Sequence, residues 1–362
     1  LIHDLSICLQ EWATKTVVNK QRDRLRNGHQ KSKRGENSMQ TRKFGKFPLD
    51  VSAIGFGAWA IGGSWGPQDE QDSLAALHRA IDLGVNFIDT AAGYGNGKSE
   101  RLIAQVLKQR SERVYVATKT PPLPGNWPPS PYDIAEERYP ERYLRENVEE
   151  RLRNLQTDRI DLLQLHTWTR AWNKAPRPFE VLRTLQAEGK IGLIGVSTPE
   201  HDQNSVIDLM RQGYVDAVQV IYNIFEQEPA AELLPAAAET GTGILVRVVF
   251  DEGVLAGKYT AQTTFAEGDF RNNYFAGDRL ARATARVDKI KADIAPYGLT
   301  LPQVALQFAL AHPAVSTVIP GIRNTYQAEA NTAVADAPPL PAKLLQTLQG
   351  HAWLRSFWYA GK

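Results

Sequence analysis

The sequence predicts an α/β protein built as one (β/α)8 TIM barrel. Three observations carry this: eight short apolar runs, amphipathic helical stretches between them, and polar side chains gathered where the runs end. The first run, Ser52 to Gly57, is the weakest. Stronger ones follow at Val85–Ile88, Val114–Ala117, Ile160–Leu165, Ile191–Val196, Ala217–Val220, Ile244–Val248 and Val315–Ile319. Their length and β-branched content suit buried parallel strands. Leu74, Leu77 and Ile81 share a helical face before Gly84. Leu144, Val148, Leu152 and Leu155 form a second stripe, and Val181, Leu182 and Leu185 a third, ended by Gly189. Helical spacing closed by glycine is a helix with its C-terminal stop. Eight strand–helix units with right-handed crossovers close into a barrel. An open doubly wound sheet lacks its glycine fingerprint: Gly93-Tyr94-Gly95-Asn96-Gly97 has the wrong spacing.

The chain has 362 residues and is 43% hydrophobic, enough for a substantial core in one domain. No apolar run reaches the length of a membrane helix. The formal charge of +2 is unevenly spread. Residues 1–38 carry eight Lys/Arg against four acids, which leaves the remainder slightly acidic. We therefore expect residues 1–38 to be a disordered extension or a segment of cloning or upstream origin. Met39 is then the natural start, with the barrel domain over 39–362. A basic segment can mark nucleic-acid or membrane contact, but the tail reading is preferred, so neither partner is expected. Cys8, the sole cysteine, lies in it. The barrel thus has no disulfide, thiolate nucleophile or cysteine metal site, and a cytoplasmic location is expected.

Two segments interrupt the rhythm. Residues 121–131 hold six prolines and Trp127, and residues 251–278 form a long glycine-rich connection after the seventh strand. Long connections in a compact domain are commonly functional. Trp59, Trp65, Trp127, Trp168 and Trp172 all follow strands, on the face where barrels keep their active sites. An aromatic-walled pocket there and simple packing of the loops are equally good readings.

The strand ends carry the chemistry. The second ends at Asp89, shortly before Tyr94; the third ends at Lys119 and the fourth at His166. A phenol titrates near pH 10, too high for ready proton exchange at neutrality. The Lys119 ammonium would lower that value, and Asp89 would keep the lysine charged. His166 could hydrogen-bond a substrate carbonyl oxygen and steady the charge developing there. Such a set donates a proton to a carbonyl oxygen while hydride reaches its carbon. Singly, each residue reads as easily as a cap, a surface charge or a packed ring.

From Met39 onward the sequence resembles the aldo-keto reductase superfamily. Asn86-Phe87-Ile88-Asp89-Thr90-Ala91-Ala92-Gly93-Tyr94-Gly95 is similar to its first signature, and Ala117-Thr118-Lys119 and Leu165-His166 to the next two. Gly195-Val196-Ser197, Gln219 to Asn223, and Val318-Ile319-Pro320-Gly321-Ile322-Arg323 resemble its cofactor segments. The resemblance implies a metal-free reductase of small carbonyl compounds with a catalytic tetrad of Tyr94, Lys119, Asp89 and His166. It implies NADPH, with NADH a lesser alternative. Cofactor contacts are expected from Gly57, Trp59, Asp89, Ser197, Thr198, Gln219, Arg247, Phe250, Gly253, Leu255, Lys258, Gly321, Arg323, Gln327 and Asn331. Gly321 would let backbone approach phosphate at a helix start, and Arg323 would meet the 2′-phosphate. Gln327 and Asn331, four apart, share a helical face. Substrate would meet Trp59, Trp65, Trp127 and Trp168, with the C-terminal segment carrying Trp353, Phe357 and Trp358 nearby.

The pattern departs from many relatives twice. Thr198 stands where they have asparagine, and Arg247 where they place a tyrosine against the nicotinamide. We expect Arg247 beside the nicotinamide or its phosphate. The alternative function is a regulatory subunit that kept the fold and the nucleotide site, as potassium-channel β subunits resemble this superfamily. A hydrolase with paired carboxylates is weaker, since Asp89 is needed by Lys119. Substrate identity and oligomeric state are not legible.

Overall fold

Ten strands organise the computed structural model, which describes residues 39–353 except 64 and 128. Strands β1 (Thr41–Lys43) and β2 (Asp50–Ser52) form an antiparallel hairpin. Eight parallel strands follow in chain order: β3 (Phe56–Gly57), β4 (Phe87–Asp89), β5 (Tyr115–Thr120), β6 (Ile160–Leu165), β7 (Ile191–Ser197), β8 (Ala217–Ile221), β9 (Gly243–Arg247) and β10 (Thr317–Val318). Each pairs with the next, and helices fill the crossovers. The expected stripes are buried: Leu77 and Ile81 in helix Glu70–Asp82, Leu144, Val148, Leu152 and Leu155 in helix Glu141–Leu155, and Leu182 and Leu185 in helix Arg177–Ala187. The expected extension, residues 1–38, lies outside the described residues.

The sheet closes where its shortest strands meet. Bridges join Ile54 to Val318 and Gly57 to Gly321. Gly57 N donates to Pro320 O at 2.9 Å. A Cβ on Gly57 would stand 2.6 Å from Ile319 O, so only glycine allows the two backbones this approach.

One strand boundary differs from expectation. Ser52 does not open the first barrel strand but closes the hairpin opposite Thr41. Asn86 draws it there: Ser52 N donates to Asn86 Oδ1 at 2.6 Å, and Asn86 N donates to Ser52 Oγ at 3.2 Å. The chain then bends, leaving Phe56–Gly57 as the barrel strand.

The hairpin plugs the end of the barrel where the strands begin. Phe44 is buried, stacks on Phe87 at 5.7 Å, and joins Ala117, Leu162, Ala217, Leu245 and Ile319 in an apolar cluster. Strand side chains alternate between faces. Two residues further along each strand, the same inward face therefore carries Asp89, Lys119, Gln164, Gln219, Arg247 and Gly321. An apolar layer supports a polar layer, and the site is built on the second.

Gly243 touches the Phe44 ring so closely that an added Cβ would lie 2.6 Å from Cε1. We predict that Gly243→Ala destabilises the barrel by about 1–3 kcal/mol through overpacking. Urea unfolding checks this, and an unchanged midpoint would show that the plug is loosely packed.

Candidate active site

A cavity of about 710 Å³ opens at the C-terminal ends of the strands. Asp89, Tyr94, His166, Ser197, Thr198, Gln219 and Arg247 line it, and Lys119 lies buried behind Tyr94. Lys119 Nζ donates to Asp89 Oδ2 at 2.6 Å, to Thr90 O at 2.9 Å and to Tyr94 Oη at 3.2 Å. All three ammonium protons therefore have partners. The other Asp89 oxygen accepts from Gln219 Nε2 at 2.7 Å and Gln164 Nε2 at 3.2 Å. Gln164 was not anticipated. It follows the inward alternation of β6, which could have revealed it.

The four expected groups thus converge, with one electrostatic correction. Burial pushes the Tyr94 phenol above its ordinary value, and the Lys119 charge only partly offsets this. The lysine was expected to lower it outright. Removal of water around a buried phenolate outweighs one ammonium that is itself neutralised by Asp89. Lys119 is opposed by burial too, yet Asp89 and Tyr94 hold it above the usual lysine range. Burial, with the Lys119 and Arg247 charges, pushes His166 well below its usual value. The site at neutral pH therefore presents a protonated phenol beside a neutral imidazole. The Tyr94 and His166 rings meet edge to face at 6.1 Å.

At the neighbouring strand ends, Arg247 Nη2 donates to Thr198 O at 3.0 Å, and Nη1 lies 3.8 Å from Glu200 Oε1. The guanidinium spans β7 and β9 at the cavity floor. The Thr198 hydroxyl lies 3.2 Å from Gln219 O and 3.3 Å from Gln203 Oε1, tying β7 to β8. Val248, next to Arg247, has φ +56°, a left-handed conformation costly for a β-branched residue. That turn aims the following segment across the cavity.

The cavity continues as a channel past Gly57, Gly321, Arg323, Gln327 and Asn331. Beyond Gly321 is open space: nothing lies within 4 Å of where its Cβ would be. Asn324 caps helix Thr325–Thr332, accepting from Gln327 N at 2.9 Å. Gln68 Oε1 receives Arg323 Nε at 2.7 Å, and Arg323 N donates to Gln327 Oε1 at 2.8 Å. Phe250 and the 251–278 segment roof the channel, the latter with Gly253, Lys258, Tyr259, Phe270 and Arg271. Arg271 lies 4.6 Å over the Trp65 ring, and Phe270 meets Trp59 edge-on at 5.8 Å. Tyr259, Phe270 and Arg271 were missed, because nothing in the local sequence says which residues of a long loop face inward.

Trp59, Trp65 and Trp127 line the cavity, Trp127 edge to face with His166 at 6.1 Å. Two expectations need correction. Trp168 is fully buried against Phe179 and Trp172, because its loop turns back onto helix Arg177–Ala187, and it does not face the pocket. Leu255 is fully buried in the core beneath the roof and does not line the channel. Trp353 packs on Phe225. Phe357 and Trp358 lie outside the described residues.

Known proteins resemble this chain in sequence and in fold. The aldo/keto reductase family profile matches residues 53–352. The chain is 33% identical to aldo-keto reductase YhdN of Bacillus subtilis (strain 168), covering 78% of this chain and 84% of that protein. It is 29% identical to the NADH-specific methylglyoxal reductase of Escherichia coli (strain K12), covering 80% and 91%. Among solved structures, an aldo/keto reductase from Klebsiella pneumoniae in complex with NADP and acetate superposes with TM-score 0.62 at 25% identity, over 86% of this chain and 95% of that one.

The His166 environment makes a direct prediction. Nitrogen chemical shifts of its ring will report neutral imidazole from about pH 6 to pH 8. A titration centred near its ordinary value would mean that the pocket is wetter than its packing implies.

Proposed function

The chain belongs to the aldo/keto reductase family, and from that premise we propose that it reduces an aldehyde or ketone to an alcohol with NADPH. The observation that carries this reading is Lys119 joining Asp89 to the Tyr94 hydroxyl at the floor of an open cavity. An oxidoreductase of small carbonyl compounds follows from the family; the roles of individual residues are our proposal.

The channel fits a dinucleotide. Gly321 leaves room for phosphate against backbone, and Arg323 offers a cation held in place by Gln68. Asn331 and Gln327 face the same space, Lys258 lies across it, and Ser197 and Arg247 stand at its inner end. Ser197 and Arg247 would hold a nicotinamide there, and the chemistry it would supply is hydride for the carbonyl carbon.

Tyr94 gives its phenolic proton to the carbonyl oxygen. His166, neutral, donates a hydrogen bond to the same oxygen and orients it. Lys119 stabilises the phenolate left behind, and Asp89 keeps Lys119 charged through the exchange. Trp59 and Trp127 flank the substrate and keep water from it. The Arg323 cation favours NADPH, although one relative is named as NADH-specific. A solely regulatory role would not need a proton donor joined to a buried ammonium. A cytoplasmic location belongs to the same reading.

Tyr94→Phe should lower kcat by roughly 10²–10⁴-fold while NADPH binding, followed by fluorescence, stays unchanged; near-normal turnover refutes the assignment. The acid must be protonated, so activity is lost as pH rises through its pKa. Since burial raises that value, kcat/KM for reduction should be flat through neutrality and fall only above about pH 10. Arg323→Ala should weaken NADPH binding about tenfold or more and leave NADH binding nearly unchanged. Equal losses for both cofactors would remove Arg323 as the basis of preference.

A further inference from the structure

Behind the strands, away from the cavity, lies a second buried polar cluster. Side chains alternate along β5, so Lys119 faces the barrel interior and Thr118 faces the helices. Thr118 Oγ1 donates to Glu100 Oε1 at 2.6 Å. Glu100 has 0% exposure. Its other oxygen accepts from Asn154 Nδ2 at 2.9 Å and lies 2.9 Å from Arg151 Nε. That N–H points off the line to the oxygen, so the contact is an ion pair without an aligned hydrogen bond. The far end of Arg151 meets Glu150 at 2.6 Å. The residue before Glu100 is tied as well. Thr90 Oγ1 donates to Ser99 Oγ at 2.8 Å, and Ser99 Oγ donates to Ala58 O at 3.1 Å.

Buried ion pairs stabilise little, because desolvation offsets their attraction. Burial pushes the Glu100 carboxyl upward despite Arg151. The cluster is therefore poorly explained by stability alone. Its connections share a pattern. Thr118 adjoins Lys119, Thr90 adjoins Asp89, and Ala58 adjoins Trp59. Ser99 N also donates to the Tyr94 carbonyl at 3.2 Å.

Tyr94 needs such an anchor. It sits in a turn with glycine at 93, 95 and 97, where Gly95, Asn96 and Gly97 all have positive φ. Glycine-rich turns restrain the backbone weakly. Asp89 and Lys119, by contrast, are held within strands.

We propose that Ser99 and Glu100 are positioning residues for proton transfer: they pin the helix Lys98–Leu107 to the strands carrying Asp89 and Lys119, and so set the separation between Tyr94 and Lys119. This rests on the reading above that Tyr94 exchanges the proton. Both residues act from outside the cavity and touch neither carbonyl substrate nor cofactor. Lengthening the Tyr94–Lys119 contact weakens stabilisation of the phenolate without altering the walls of the pocket.

The test uses the full chain with Thr118→Val and Ser99→Ala. Valine has the shape of threonine and removes one hydroxyl, leaving Glu100 with Asn154 and Arg151. Each variant should slow single-turnover reduction about tenfold or more, since small misplacements of a reacting group are costly. NADPH affinity and KM should stay within about twofold of the unaltered protein, as expected of a change outside the binding site. In the reverse reaction, alcohol oxidation, the Tyr94-dependent limb should move to higher pH, because the nearby ammonium favours the phenolate. A role in stability alone would lower the melting temperature and leave rate and pH limb unchanged, which overturns the proposal. Crystal structures of both variants read the geometry directly. A Tyr94–Lys119 distance still at 3.2 Å overturns the proposal whatever turnover does. If Tyr94→Phe keeps full activity in the unaltered background, the reading of Tyr94 fails instead, and the measured distance still decides the positioning.

Discussion

The Asp89–Lys119 ion pair is the constraint around which the cavity is arranged. Both side chains are almost wholly removed from water. An ammonium and a carboxylate in that position are tolerable only if their remaining hydrogen-bonding capacity is met. The barrel meets it from the segment after β4, with Thr90 and Tyr94 for the lysine, and from β6 and β8, with Gln164 and Gln219 for the aspartate. Each partner satisfies a charge and is itself oriented. The polar layer is therefore a single network, and Tyr94 faces the cavity with Asp89 and Gln219.

That network needs a dry, rigid floor. The hairpin provides one end, with Phe44 over an apolar ring of residues from successive strands. Closure provides the other requirement. The first and last barrel strands contribute only two residues each to regular pairing, and they meet through bridges that glycine at 57 permits. The loops above differ in kind. The roof segment is held to the Trp59–Trp65 loop by ring contacts and by Arg271 over Trp65, and Leu255 anchors it in the core.

Burial and charge oppose each other at the phenol, and burial prevails. With its pKa raised, Tyr94 keeps its proton at neutral pH, the state that the proposed reduction requires. Reduction needs the acid, while oxidation needs the phenolate. His166, kept neutral by burial and two nearby cations, can donate a hydrogen bond without adding a positive charge that would compete with Lys119. The same environment thus assigns different protonation states to neighbouring groups, a protonated phenol beside a neutral imidazole.

Much of this was legible in the sequence. Strand–helix alternation determined the barrel, because burying eight apolar runs between amphipathic helices leaves few other closures. Asp89, Lys119 and His166 were readable because a strand end places its side chain without help from distant chain. Tertiary structure alone decided the rest. Trp168 looked like a pocket residue, yet the turn after it sends the ring into Phe179 and Trp172. Leu255 looked like a cofactor contact, yet it anchors the roof. Gln164, Arg271 and the Ser99–Glu100 cluster gain meaning only from neighbours many residues away. The phenol's raised pKa belongs to this second kind. Sequence names the charges around Tyr94, but desolvation is a property of everything packed about it, and only the closed barrel sets that.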